Sequence, residues 1–556
     1  MSTTDDLVRE ATVAAPRPAD RVRRVNRRRL LIGLLAVVAL LGSAGFAVAL
    51  GITQREAVPQ RELVVNGVPI TLYMPGTVPV VPDSTVDLPA PLPPGSRPPG
   101  LVLAHGHSAD RAMMSWLAGR LAAAGIVVAT FDFRGHGTHR APHEPHGFEG
   151  RREDLRTVFD WLRAQPYVDS EHVAIAGHSM GAAAVVHFAT HDARPVATVA
   201  LGGSVATIEG DAEGRNMLFL VAQGDPDAVR DEAVRTAKTL RGGDIRFGDE
   251  YGSHGDGSAV GLREVPGNHL TMLYADETAA RMADWINRAA NGVGPVTTPR
   301  DNRLELAQGY LIFMAGLLVL LGALAGALVR RGAGAPGARW RGLALIAGTL
   351  LLPLPWLAWG DPGPLVGMEA GGALVVLLAA AGGMLWALCS LAPVRRWCRL
   401  DADLAEPLRA AGGRRLLLAA LLGTGGTILL LLPLGPLGHG LLPTPTRVVL
   451  GLLATLLLLP FFLAADLLVR RGTPLAASGF ALAVRLLLLV VTFVAVATGL
   501  LPGMIGLYLM LLAPFLVLLE LVAGAMYAVG RDPRLPAVFQ AGALGWLLAI
   551  ISPVMW

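Results

Sequence analysis

The sequence predicts two architectures in one chain: an α/β domain built on a mostly parallel sheet, and an all-α bundle embedded in a membrane. Three observations predict them. The 556 residues are 53% hydrophobic and only 16% charged, with a mean hydropathy of +0.50, which is too apolar for a purely soluble protein. The excess is unevenly placed: residues 52–306 have ordinary mixed polarity and hold 12 of the 13 histidines, whereas residues 307–556 are mostly Leu, Ala, Gly and Val. Within residues 62–290, apolar strand-like runs alternate with helical patterns, as crossover helices on a parallel sheet require.

The chain divides into an Arg-rich tail (1–29), a first transmembrane segment (30–51), a polar domain (52–306) and a membrane domain (307–556). Leu30 to Gly51 carries no charge and is long enough to span a bilayer at about 1.5 Å per residue. A cleaved signal peptide is the rival reading, because Ala47-Val48-Ala49 resembles a cleavage site; an uncleaved anchor is favoured because signal cores run only about 7 to 15 residues. Eight further spans fall near 307–329, 342–360, 367–393, 416–437, 447–469, 478–500, 504–529 and 536–555, giving about nine transmembrane helices in total. With the N-terminus cytoplasmic, the short inside segments hold 22 arginines and the short outside loops only Arg447. That asymmetry is the positive-inside pattern. It places the polar domain outside a bacterial plasma membrane, the near-exclusive use of Arg over Lys being the mark of a GC-rich bacterial genome. Arg485 and Glu520 are expected to pair between adjacent spans, and Asp466 to lie at the membrane interface.

The strands of the polar domain are an entry hairpin from Glu62 to Tyr73, then Gly100 to Ala104, Val127 to Asp132, His172 to Ala176, Ala197 to Leu201, Leu218 to Ala222 and Gly261 to Val265. The Pro-rich stretch from Pro79 to Pro99 reads as a surface loop. Gly177-His178-Ser179-Met180-Gly181 follows the third of these runs after the hairpin and opens an Ala-rich helix. A nucleophilic serine needs this spacing, because the strand-to-helix turn is so tight that glycines must flank it. Acid and base follow in the matching order. Asp227, with Asp225 as the alternative, stands just past the strand ending at Ala222, and His269 follows the strand ending at Val265. An imidazole there can take the Ser179 proton and return it to a leaving group. An oxyanion hole would use the N–H of Met180, at a helix start, and that of His107, in the loop after Leu101-Val102-Leu103-Ala104.

These motifs resemble the α/β-hydrolase superfamily, and Phe131-Asp132-Phe133-Arg134-Gly135-His136-Gly137 looks like its common turn after strand four. The resemblance covers roughly residues 62–290. It implies an eight-stranded sheet and Ser-His-Asp acyl transfer, closest to dienelactone-hydrolase-like and prolyl-oligopeptidase-like enzymes. Serine stands where true dienelactone hydrolases have cysteine, so their lactone chemistry does not carry over. The lid that relatives often insert after strand six is short here, leaving an open cleft, with loops Arg134 to Glu149 and Gly242 to Gly261 as partial covers. The membrane domain resembles no family named here.

Composition narrows the function further. The net charge of +4 reflects arginines at the ends of apolar segments, so no nucleic-acid partner is expected. Cys389 and Cys398 both lie outside the polar domain, which excludes a thiol nucleophile or thiolate metal site there. His136, His139, His143 and His146 with Glu144 are irregularly spaced on a Pro-containing loop, so solvated or structural histidines are expected, with no metal and no cofactor. The expected function is a membrane-bound serine hydrolase that cleaves small-molecule or lipid-like carboxylic esters through an acyl-enzyme. A peptidase or acyltransferase with the same triad is the alternative, and a transporter or sensor with a non-catalytic ligand-binding domain is the reading from another class.

Overall fold

The computed structural model describes residues 58–75, 97–144, 148–203, 215–290, 339–357, 362–400, 444–501, 503–530 and 532–556, with four residues of the segment 416–437. Nine strands form one sheet: β1 (Gln60–Val65), β2 (Val68–Tyr73), β3 (Gly100–Ala104), β4 (Val127–Phe131), β5 (Val173–His178), β6 (Thr198–Leu201), β7 (Met217–Ala222), β8 (Glu250–Tyr251) and β9 (Val260–Val265). Their order is β1-β2-β4-β3-β5-β6-β7-β9-β8. The six strands from β4 to β9 through the centre are parallel, while β1, β2 and the two-residue edge strand β8 pair antiparallel. The expected eight strands are all present; β8 is the addition.

Central strands read as continuous apolar runs because both faces are covered. Alternate residues feed two cores. Val102, Ala129, Phe131 and Ile175 point to the side carrying α2 (Glu149–Arg163), α3 (Met180–Ala189) and α4 (Asp227–Arg241). Leu101, Leu103, Val128 and Ala176 point to the side carrying α1 (Ser115–Ala123) and α5 (Asp276–Ala289). This layering leaves the carboxyl edge of the parallel strands as the edge where loops can assemble a site.

Five described helices are long and apolar enough to cross a membrane: Arg339–Leu357, Ala370–Ser390, Pro445–Val469, Pro474–Ala497 and Arg534–Ile551. The first contains α6 (Arg339–Leu351) and the others are α7, α8, α9 and α11 in order; α10 (Ile505–Gly530) fits the expected span at 504–529. Segments 30–51 and 307–329, and nearly all of 416–437, lie outside the described residues. The last helix, α11, is almost wholly buried. Glycines permit its close packing on α8: a Cβ at Gly545 would stand 2.7 Å from the Thr455 backbone nitrogen. Lipid offers no hydrophobic drive between helices, so such backbone proximity is how they associate.

Asp466 corrects the expectation of an interfacial residue. It is 0% exposed and accepts from Arg470 Nε (2.7 Å), Arg485 Nη2 (3.2 Å) and Gln540 Nε2 (3.1 Å). Glu520 accepts from Arg470 Nη2 at 2.6 Å and lies 3.8 Å from Arg485 Nε, so the expected Arg485–Glu520 pair is one edge of a two-cation, two-anion network. Removing one carboxylate strands a buried positive charge. Asp466→Ala should therefore destabilise the bundle by about 3–5 kcal/mol, read as a lower unfolding temperature in detergent; an unchanged temperature would assign the network no structural weight.

The bundle docks on the carboxyl edge of the sheet. Ser108 donates to the Tyr508 hydroxyl at 2.8 Å, and the chain after α11 pairs with the loop after β4, Val554 N–H donating to Gly135 O (2.8 Å) and His143 N–H to Val554 O (2.7 Å). Arg447, at the start of α8, ties both halves by donating to Ala549 O (2.6 Å), Ser552 O (3.0 Å) and Gly135 O (3.3 Å). Every one of these bundle groups sits at a helix end that the charge pattern assigns to the outside.

Candidate active site

Ser179 sits between β5 and α3 with φ +53° and ψ −114°, a strained conformation for a non-glycine residue. The flanking glycines make that turn possible. A Cβ at Gly177 would lie 2.3 Å from the Gly181 backbone, and one at Gly181 would lie 2.6 Å from His105 O. Ser179 N–H donates to Leu201 O at 2.8 Å, which fixes the elbow to β6. The side chain is partly exposed at the sheet edge. Met180 begins α3, so its N–H is one of the donors a helix leaves without an internal partner.

His269 follows β9 on a short turn and is 5% exposed. Its Nδ1 lies 2.7 Å from Asp225 Oδ1, while Asp225 Oδ2 accepts from Ala222 N–H at 2.7 Å. Both oxygens of the acid are thus committed, and a proton on Nδ1 leaves Nε2 as the basic nitrogen. This corrects the choice between the two aspartates. Asp227 is exposed and is the first residue of α4, where its charge complements the helix N-terminus instead of meeting the imidazole. The turn after β7 folds Asp225 inward to cap Ala222, and Asp227 consequently points away.

Ser179 and His269 flank one corner, the Gly202-Gly203 turn after β6. A Cβ on Gly202 would be 3.2 Å from the His269 ring, and one on Gly203 would be 3.2 Å from Ser179 O. His178, not singled out in the sequence, holds the base in place: its Nε2 donates to His269 O at 2.7 Å, with ring centroids 4.8 Å apart. The oxyanion loop after β3 is fixed by a second buried imidazole. His105 Nε2 accepts from Phe133 N–H at 3.0 Å, which leaves its Nδ1 to donate to Gly106 O at 2.7 Å. A Cβ on Gly106 would stand 3.3 Å from Ser179 Cβ, so the loop that carries His107 passes close to Ser179. Residues 204–214, where a lid would begin, are outside the described residues.

Burial depresses the basicity of several of these rings. His107 is lowered to about 4 and His178 to about 3, in each case first by desolvation. In the unfolded chain both would titrate near 6.5. Between those values the unfolded state binds more protons, so folding stability is full above about pH 6.5 and falls as pH drops toward 4. A lower unfolding temperature for the domain at pH 5 than at pH 7.5 is expected; an equal or higher one would contradict neutral burial of these imidazoles.

Of the histidines weighed for a metal, His143 alone enters a cluster of possible ligands, and with partners from elsewhere: His107 and Glu369. His139 faces Asp154 at 3.7 Å, Glu144 takes a hydrogen bond from Arg134, and His146 lies outside the described residues. Glu369, at the N-terminal end of α7, is more than 200 residues distant in sequence, so no local motif could have found it.

Comparison with known proteins agrees with the fold of this domain. Residues 98–234, from β3 through the elbow into α4, match the family model described as "Serine aminopeptidase, S33". This match and the sheet order give the domain the α/β-hydrolase fold. Two curated relatives, uncharacterized proteins from Mycobacterium tuberculosis strains CDC 1551 and H37Rv, are each 36% identical over 107 residues, 19% of this chain. The chain spans about a third of their length, 36%. Among solved structures, a ferulic acid esterase from Streptomyces cinnamoneus aligns with 44% of this chain and 93% of its own at 20% identity and a TM-score of 0.31. A hypothetical protein from Pseudomonas aeruginosa aligns with 42% and 94% at 12% identity and a TM-score of 0.31. The α/β domain is joined to a helical region with apolar spans that the family model does not cover.

Proposed function

We propose that the protein is a membrane-bound serine hydrolase that cleaves carboxylic esters on the extracytoplasmic face. The observation that carries this reading is the hydrogen bond of Asp225 to His269 Nδ1 beside a serine held in a strained, partly exposed elbow. Ser179 Oγ attacks the ester carbonyl while His269 Nε2 takes its proton. Asp225 fixes the imidazole and stabilises its charged form. The N–H groups of Met180 and His107 receive the carbonyl oxygen as it becomes negative. Collapse expels the alcohol, protonated by His269, and leaves an acyl-Ser179; water, deprotonated by the same imidazole, then releases the acid and restores the serine.

The bundle supports this sidedness. The domain docks at the Glu369, Arg447 and Tyr508 ends, while Arg339, Arg341, Arg395, Arg396, Arg399 and Arg471 gather at the other, where Arg341 bonds Trp397 O and Arg471 bonds Arg399 O. The positive-inside rule assigns that end to the cytoplasm. A lipid-like substrate is supported by the docking of the oxyanion loop on the bundle. The description of the matching family favours a second reading, a peptidase acting by the same acyl-enzyme.

The test is to quench a reaction with activated p-nitrophenyl esters and weigh the protein. An acyl adduct on the Ser179 peptide, discharged by water, supports the ester reading. Rapid turnover of N-terminal amides with no gain for esters would favour the peptidase, and turnover without any Ser179 adduct would contradict both.

A further inference from the structure

We propose that His107, His143 and Glu369 form a divalent metal site, of the kind that binds Zn²⁺, which clamps the hydrolase domain to the membrane bundle. The three donors come from three segments: the loop after β3, the loop after β4 and the N-terminal end of α7. His107 Nε2 lies 3.4 Å and His143 Nε2 2.9 Å from the same oxygen, Glu369 Oε2, and all three ligand atoms fall within 4.8 Å of one another. Tetrahedral zinc with nitrogen and oxygen ligands at about 2.0–2.1 Å sets its ligand atoms about 3.3–3.5 Å apart. The observed spacing needs only small side-chain adjustments to reach it.

The bonding state of these atoms points to a ligand. The two imidazoles are 5% and 2% exposed at the side chain and the carboxylate 15%. His107 Nε2 is nevertheless buried with no hydrogen-bond partner among the described residues, and the nearest polar approach to Glu369 Oε2 is His143 Nε2 at 2.9 Å. Buried polar atoms almost always find partners, and a cation bridging the three would satisfy all of them at once. The burial that keeps His107 neutral near pH 7 leaves its lone pair available, as a metal ligand requires. Arg151 also faces Glu369, so a simple ion pair is the competing arrangement. His136 stands behind the site, its ring centroid 5.0 Å from that of His143.

The geometry gives the cation a structural task. His143 N–H already bonds Val554 O, and Glu369 N–H bonds Pro553 O at 3.2 Å. A metal would join these two docking segments through their side chains. The proposal does not depend on the chemistry assigned to Ser179.

The full chain, purified in detergent and stripped with a chelator, is dialysed against buffered Zn²⁺ and its metal content measured. One equivalent per native chain is expected, retained in His139→Ala and Glu369→His and lost in His143→Ala and Glu369→Ala. The Co²⁺-substituted native chain should show visible bands of a nitrogen and oxygen site without thiolate charge transfer, which separates it from Cys389 and Cys398. A native chain that takes no Zn²⁺, or His143→Ala and Glu369→Ala variants that hold as much as the native chain, would overturn the proposal. The native stoichiometry and the Co²⁺ spectrum decide even if a variant fails to fold.

Discussion

Replacing Ser179 by alanine is expected to lower turnover of every acyl substrate by on the order of 10⁶-fold while the protein still inserts and folds. The size follows from what the hydroxyl does. Without it no acyl-enzyme can form, and the remaining groups can only position water against a bound ester. A residue of about 10³-fold over the uncatalysed reaction should persist, because the N–H donors of Met180 and His107 still meet a developing oxyanion. Alanine also relieves nothing essential: the φ of +53° is imposed by the β5 and α3 packing around Gly177 and Gly181. The check is kinetics with a panel of activated esters on purified protein. Activity within tenfold of native would remove Ser179 from the reaction.

The second large effect separates two acids only two residues apart. Asp225→Asn should cost about 10⁴-fold in kcat, whereas Asp227→Asn should stay within a few-fold of native. Asp225 Oδ1 faces His269 Nδ1 from a buried position. An amide there either fails to accept from Nδ1–H or turns the imidazole to the wrong tautomer, with its proton toward the serine. Asp227 is exposed at the start of α4, and its neutralisation removes only a favourable charge at the helix N-terminus, worth about 0.3–1 kcal/mol. Reaction rates of the paired variants with a fluorophosphonate, measured alongside kcat, provide the comparison. A large loss in Asp227→Asn with native behaviour in Asp225→Asn would reverse the assignment.

What was legible in the sequence was what local geometry dictates. The elbow was readable because a serine on so tight a turn demands glycine on both sides, and the Cβ clashes at Gly177 and Gly181 show why. His269 was readable from its place after the last long strand. The choice between Asp225 and Asp227 turned on one backbone hydrogen bond, from Ala222 N–H to Asp225. A signal was present: Pro226-Asp227 opens an amphipathic helical run, which marks Asp227 as a first-turn helix acid. Glu369, Tyr508 and Arg447 were beyond reach, since each acts across the junction on residues hundreds of positions away. Asp466 is a different case, since Arg470 stands only four residues on and Arg485 and Gln540 lie on other helices. Its place near a helix end suggested the interface, but Arg470, Arg485 and Gln540 converge on it from three helices and draw it inside.

The account's central claim is an activated serine outside the membrane. Labelling of intact cells with a membrane-impermeant fluorophosphonate, comparing the native chain with Ser179→Ala at equal expression, tests it most directly. The predicted result is labelling of the native chain in intact cells and none of the variant. Labelling only after lysis would contradict the orientation, and equal labelling of the two chains, or none in either after lysis, would contradict Ser179 as the nucleophile.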